Sequence, residues 1–200
     1  MRKFHTTCIG FLAASLSATA FAHSAAAGVA NGDFEAGNSL FSSEYSPTDF
    51  LCTDGHGGPG TYLLATNPAN VNCYGDWSSF GDHTSGSGLM MIVDGSPDAG
   101  TIVWSETVKV SAATRYLFTY WATSVNANGY GAAGDLQVYI NGKPKGTDFQ
   151  IPPAYNGWHQ VTVPWRSGKS TTQATIWHVD LYTSGGWNDF ALDDVSLTPQ

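Results

Sequence analysis

The sequence predicts an all-β protein, an antiparallel β-sandwich, and three observations carry the prediction. Beyond the N-terminal segment the hydrophobic period is two, and no amphipathic stretch reaches helical length. Short apolar runs recur at roughly ten-residue spacing, separated by Gly, Asn, Asp and Pro. The composition agrees: Gly is 23 of 200 residues and charged residues are 12%, against averages of about 7% and about 25%. With 42% hydrophobic residues and seven Trp the chain can build a core, which excludes disorder.

Each strand has its own signature. Residues 88–93 (GLMMIV) form a short apolar run that stops at Asp94-Gly95, and 101–110 (TIVWSETVKV) reads as one strand or a broken pair. Residues 115–123 (RYLFTYWAT) make an aromatic strand. Residues 135–140 (DLQVYI) alternate, with Leu136, Val138 and Ile140 inward, and Asn141-Gly142 follows as a hairpin turn. Residues 158–165 alternate through Val161 and Val163, 172–181 hold a strand around Ile176, and 190–197 (FALDDVSL) close the domain. The stretch 39–80 is the least regular, and a loop that long in a compact domain is often functional.

The first 27 residues stand apart. Met1-Arg2-Lys3, an apolar run over 8–22 and then small residues have the order of a secretory signal peptide, with cleavage expected between 22 and 27 and the domain spanning 28–200. The implied destination is extracellular or periplasmic. No second apolar run is long enough to cross a bilayer as a helix, so no integral membrane segment is expected. The whole chain carries 8 basic and 16 acidic residues, net −8; losing Arg2 and Lys3 leaves net −10. So acidic a chain is a poor binder of nucleic acid or anionic membrane.

Cys8 leaves with the leader, so Cys52 and Cys73 remain as an even pair in an oxidising compartment. They bracket a Gly-, Pro- and Asn-rich segment and read as one disulfide. The rival, a pair of thiols for metal or catalysis, lacks Cys-x-x-Cys spacing and has only His56 nearby.

Three acidic clusters stand out: Asn31-Gly-Asp-Phe-Glu35, Gly81-Asp-His-Thr-Ser-Gly-Ser-Gly88 and Phe190-Ala-Leu-Asp-Asp-Val-Ser-Leu197. A hard cation such as Ca²⁺ takes six to eight oxygens from carboxylates and carbonyls. In the last strand alternation puts Asp193 on the inward side with Val195 and Leu197, and sends Asp194 to the other face. A buried carboxylate is costly without a partner, so a cation or a turn should meet Asp193.

Taken in order, NGDFE, DHTSGSGLMMIVDG and FALDDVSL resemble the galactose-binding-like jelly-roll superfamily. The likeness is to MAM domains and to bacterial carbohydrate-binding modules, and it covers most of the chain after the leader. It implies a jelly-roll sandwich with one structural Ca²⁺, drawing on Asp33, Glu35, Asp82, Thr84 and Asp193 or Asp194. The four-cysteine framework of animal MAM domains is absent, so partner choice does not carry over.

His83 reads as a structural hydrogen-bonding residue, and His23, His56, His159 and His178 have no close ligand spacing, so no zinc site is expected. The aromatic residues supply the ligand argument, because flat rings suit the apolar face of a sugar and a few polar groups fix its orientation. Trp187 and Asn188 lie in a Gly-rich loop, Tyr130 lies in another, and Tyr139 points away from Val138 and Ile140. Trp104, Trp121, Trp158, Trp165 and Trp177 alternate within strands and read as packing. No nucleophile elbow, phosphate loop or zinc motif is present. The expectation is a secreted, non-catalytic module that binds carbohydrate or a cell-surface glycoconjugate. The alternatives are a protein–protein adhesion module, a polysaccharide hydrolase, or a structural matrix component.

Overall fold

The computed structural model describes residues 28–52, 57–129, 133–182 and 187–200. Residues 1–27 with Cys8 and His23, and also His56 and Tyr130, lie outside the described residues. Ten strands form two sheets. The six-stranded sheet runs β1 (Ser46–Pro47), β2 (Thr61–Ala65), β3 (Met90–Asp94), β10 (Phe190–Pro199), β5 (Arg115–Ser124), β8 (His159–Arg166). The four-stranded sheet runs β4 (Thr101–Lys109), β9 (Gln173–Asp180), β6 (Asp135–Ile140), β7 (Lys143–Gln150). All pairings except the short β1–β2 are antiparallel. This is the jelly-roll sandwich that the sequence implied, and its one helical segment among the described residues is the 3₁₀ turn Pro68–Asn70.

Alternation builds the core between the sheets. Tyr116, Phe118, Tyr120 and Ala122 of β5 meet Leu136, Val138 and Ile140 of β6 and Trp104 of β4. The β6–β7 hairpin turns at Asn141 and Gly142 with φ of 50° and 75°. Asn and Gly tolerate the left-handed conformation that the twist of a two-residue hairpin demands. No helix among the described residues is long and apolar enough to cross a membrane.

Three strands carry no readable sequence signal, the two-residue β1 among them. β7 is an edge strand whose residues are mostly exposed, so nothing in it alternates. β2 lies in the irregular stretch, inside the loop closed by the Cys52–Cys73 disulfide, whose Cα atoms are 5.4 Å apart. That stretch is not a free loop. Leu51, Trp77 and Phe80 pack onto Met90, Ile92 and Ala191, covering the upper outer face of the six-stranded sheet. β3 is therefore buried on both faces, which is why it reads as an unbroken apolar run. Closing a loop of 21 residues contributes about 3 kcal/mol by chain entropy.

The last strand departs from simple alternation. Its register with β5 shifts between Asp193 and Ser196, and Asp194 has φ 47°. This β-bulge inserts one residue. Phe190 and Leu192 face the core above it, and Val195 and Leu197 below it. Asp193 therefore lies with Ala191 on the outer face, not inward with Val195, and Asp194 does not point to the opposite side.

Candidate functional site

The bulge gathers carboxylates and a loop on the outer face of the six-stranded sheet. Asp193 is fully buried there. Its Oδ2 accepts the backbone N–H groups of His83 (2.8 Å) and Thr84 (3.3 Å), and its Oδ1 accepts that of Asp194 (2.8 Å). Burial pushes its pKa up to about 7, against the N–H donors that favour the carboxylate. Asp194 reaches the same loop from outside: Oδ2 meets His83 Nδ1 at 2.6 Å and Oδ1 accepts Thr84 Oγ1 at 2.6 Å. His83 in turn stacks on Trp121, with ring centroids 3.7 Å apart and planes at 17°. His83 thus ties the 81–88 loop to the sheet through Asp194 and Trp121.

Of the six residues expected around a cation, five fall into two groups and Asp33 into neither. Asp193, Asp194 and Thr84 satisfy one another and the loop. Glu35 and Asp82 converge instead on Gly88: a Cβ on Gly88 would overlap Glu35 Oε1 and lie 3.2 Å from Asp82 Oδ2. Asp82 accepts Gly88 N–H at 2.6 Å and Ser85 N–H at 2.7 Å, and Glu35 accepts Leu89 N–H at 2.6 Å. Burial raises the Asp82 carboxyl, but those donors outweigh it and hold it below the usual carboxylate range. Asp33 Oδ1 accepts Glu35 N–H and closes a turn. Among the described residues no three His, Cys, Asp or Glu side chains form a metal-holding group. A cation here would have to take its remaining oxygens from carbonyls, hydroxyls or solvent.

Beside Trp121 lies a polar cavity of about 400 Å³. Its walls include Trp121 and Thr119 of β5, Gln160 of β8, Asp194 and Ser196 of β10, and Asn31 and Asp33 of the N-terminal segment. His83 holds one side of the indole, and the remainder of the ring lines the cavity. One half-buried indole among hydroxyl, amide and carboxylate groups is a surface suited to a polyhydroxylated ligand. The sequence reading placed Trp121 with the packing tryptophans. The signal that could have found it is the cross-strand partner: Trp121 pairs with Gln160 and Asp193, not with apolar residues.

The residues chosen from sequence as ligand contacts are scattered. Trp187 is 42% exposed and left-handed (φ 67°), as a Gly-rich loop suggested. Its backbone carbonyl accepts Asn126 Nδ2 at 2.9 Å. Asn188 is a correction: it is 1% exposed, and its amide donates to Ser96 O at 3.1 Å, so it fixes the loop from below and cannot meet a ligand. Tyr139 does lie on an outer face, parallel to Trp177 at 6.0 Å and 4°. That face belongs to the four-stranded sheet, on the far side of the sandwich from Trp121.

No family model matches the chain, and no curated protein matches it. Among solved structures, a Stig cyclase, Fisc, from Fischerella sp. TAU, in complex with an indole compound, has a TM-score of 0.55 at 13% identity. The match covers 86% of this chain and 96% of that one. At this identity the likeness shows a shared sandwich fold and nothing of the chemistry. Two more distant likenesses are to carbohydrate-binding modules. The C-terminal domain of EclA, a sugar-binding protein, has a TM-score of 0.44 and 19% identity over 50% of this chain and 68% of that one. A CBM4 module has a TM-score of 0.46 and 14% identity, covering 86% of this chain and 99% of that one.

Proposed function

We propose that the protein is a secreted, non-catalytic carbohydrate-binding module that holds a glycan along the outer face of β10, β5 and β8, with Trp121 as its apolar contact. The observation that carries this reading is the half-buried Trp121 in a mostly polar cavity. An indole offers a sugar ring an apolar face at low entropic cost, and Asn31, Asp33, Gln160 and Asp194 surround it with groups that hydrogen-bond hydroxyls. The test is a glycan array on the mature protein, followed by titration of Trp121→Ala. Truncating a central aromatic anchor costs about 2 kcal/mol or more, so affinity should fall roughly thirtyfold. Wild-type binding that survives Trp121→Ala would move the site elsewhere. Capture of a surface protein with no glycan signal would favour an adhesion module.

A structural Ca²⁺ belongs to the same proposal, with Glu35 and Asp82 as its side-chain ligands. Their convergence on Gly88, with no base between them, supports this choice. The ion would tie the N-terminal segment to the 81–88 loop and so fix one wall of the cavity. An ion bound only to the folded state stabilises by about 2.7 kcal/mol at a hundredfold excess over Kd. Chelator should therefore lower the melting temperature of the wild type and leave Asp82→Asn unmoved. An unchanged wild-type melt in chelator would remove the ion from the proposal.

A further inference from the structure

Below the cavity beside Trp121 the outer face of β5 and β8 continues in register toward the far end of the two strands. Outward-facing pairs descend the β5–β8 ladder as Trp121–Gln160, Thr119–Thr162, Leu117–Pro164 and Arg115–Arg166. Ser196 and Thr198 of β10 flank them, with Ser196 Oγ 2.6 Å from Thr119 Oγ1. Where the two strands end lies a second cavity of about 520 Å³, lined by Arg115, Leu117, Pro164 and Arg166 of that face and by Tyr116 and Trp165 of the core-facing side. From Trp121 to Arg115 is six residues of strand, about 20 Å, the reach of a short oligosaccharide.

Charge along the sandwich is polarised from one end of the strands to the other. The six Lys and Arg residues beyond the leader are Lys109, Arg115, Lys143, Lys145, Arg166 and Lys169. All lie at or near the strand ends on one side of the sandwich: the end of β4, the start of β5, the start of β7, and the end of β8 with the loop after it. Asp94, Asp135, Asp180 and Asp189 sit at the other end. No Lys or Arg among the described residues makes an ion pair; the one pair among them joins His83 and Asp194. Arg115 and Arg166 are exposed and directly opposite one another, and like charges in that position destabilise a sheet. A chain of net −8 has ample carboxylate to neutralise them, yet it keeps two guanidinium groups without an ion pair at the mouth of an aromatic cavity. A guanidinium presents a planar fork that matches a carboxylate.

Resting on the carbohydrate-binding reading above, we infer that the ligand is an acidic glycan, a uronic-acid chain. Its sugar rings follow this face past Trp121, and a carboxylate is held between Arg115 and Arg166. The hydroxyl row of Thr119, Thr162 and Ser196 faces the middle of the chain, and Leu117 with Pro164 gives the lower sugar an apolar wall.

The test compares a uronate oligosaccharide with the same oligosaccharide after reduction of its carboxyl groups, on wild type, Trp121→Ala and the double variant Arg115→Gln/Arg166→Gln. The uronate should bind wild type about tenfold more tightly than its reduced form, as expected for hydrogen bonds to a charged group. Raising salt should erode that margin. The double variant should lose the margin while still binding the reduced form, and Trp121→Ala should weaken both. Equal affinity for the two forms, a margin that survives the double variant, or a preference for a sulfated glycan over the uronate would overturn the inference. If neither form binds wild type and no neutral glycan does, the carbohydrate reading itself fails.

Discussion

Asp193→Ala is expected to destabilise the protein by about 3 kcal/mol or more and to release the 81–88 loop from the sheet. Asp193 is completely buried, and its two oxygens take the N–H groups of His83, Thr84 and Asp194. Truncation leaves these donors without an acceptor under a packed loop, at about 1–3 kcal/mol each and not strictly additively. Part of the loss is returned, because a costly buried carboxylate disappears. The measurement is chemical denaturation together with amide hydrogen exchange at His83 and Thr84, both in chelator so that any ion is out of the comparison. A loss below about 1 kcal/mol with unchanged protection at those amides would show that the carboxylate does not pin the loop. The consequence reaches the candidate site, because His83 leaves its place on Trp121 when the loop leaves the sheet.

The sequence made the sandwich legible because most strands bury one face, and alternation reports that directly. It failed for β2 and β7, whereas β3, covered on both faces, stayed legible as an unbroken apolar run. β2 hides inside the disulfide-closed segment, and β7 is an exposed edge strand without an apolar side. The bulge at Asp194 was invisible for a different reason. A one-residue insertion looks like any other pair of adjacent polar residues until its partners on β5 are known, and here it reverses the facing of Asp193. The ligand side was the least legible. Strand β5 carries aromatic or apolar residues on both faces, Tyr116, Phe118 and Tyr120 on one and Leu117 and Trp121 on the other. Period two groups them correctly but does not say which group meets the second sheet. The loop tryptophan, Trp187, drew attention by its glycine neighbours, whereas Trp121 required knowledge of Gln160 and Asp194 beside it. Likewise the three acidic motifs do approach one another, but the backbone N–H groups that occupy Asp193 could not be foreseen from spacing.

His178→Phe is expected to make the protein markedly more tolerant of acid. His178 lies on β9 facing the centre of the core, fully buried against Trp104, Phe118 and Tyr120, the last with its ring 4.3 Å away. Neither ring nitrogen has a protein hydrogen-bond partner. Desolvation therefore drives its pKa from 6.5 down to about 3. An unfolded imidazole takes up a proton as pH falls below about 6.5, whereas the folded one stays neutral until far lower pH. The unfolded state binds more protons throughout that window, so stability falls by about 1.4 kcal/mol for each pH unit below 6.5 until the folded pKa is reached. Asp94 and Asp189 act in the opposite direction. Burial raises the pKa values of both above the usual carboxylate range, so the stability they contribute is present at low pH and is lost as pH rises. Wild type and variant share these carboxyl groups, so subtracting the two stability–pH curves isolates the histidine. The difference should be flat above about pH 7 and widen in favour of the phenylalanine variant from about pH 6.5 downward. At neutral pH, removal of two unpartnered buried nitrogens should leave stability equal or higher. Parallel curves for the two proteins between about pH 6.5 and about pH 4 would mean that His178 is protonated, or hydrated, inside the folded core.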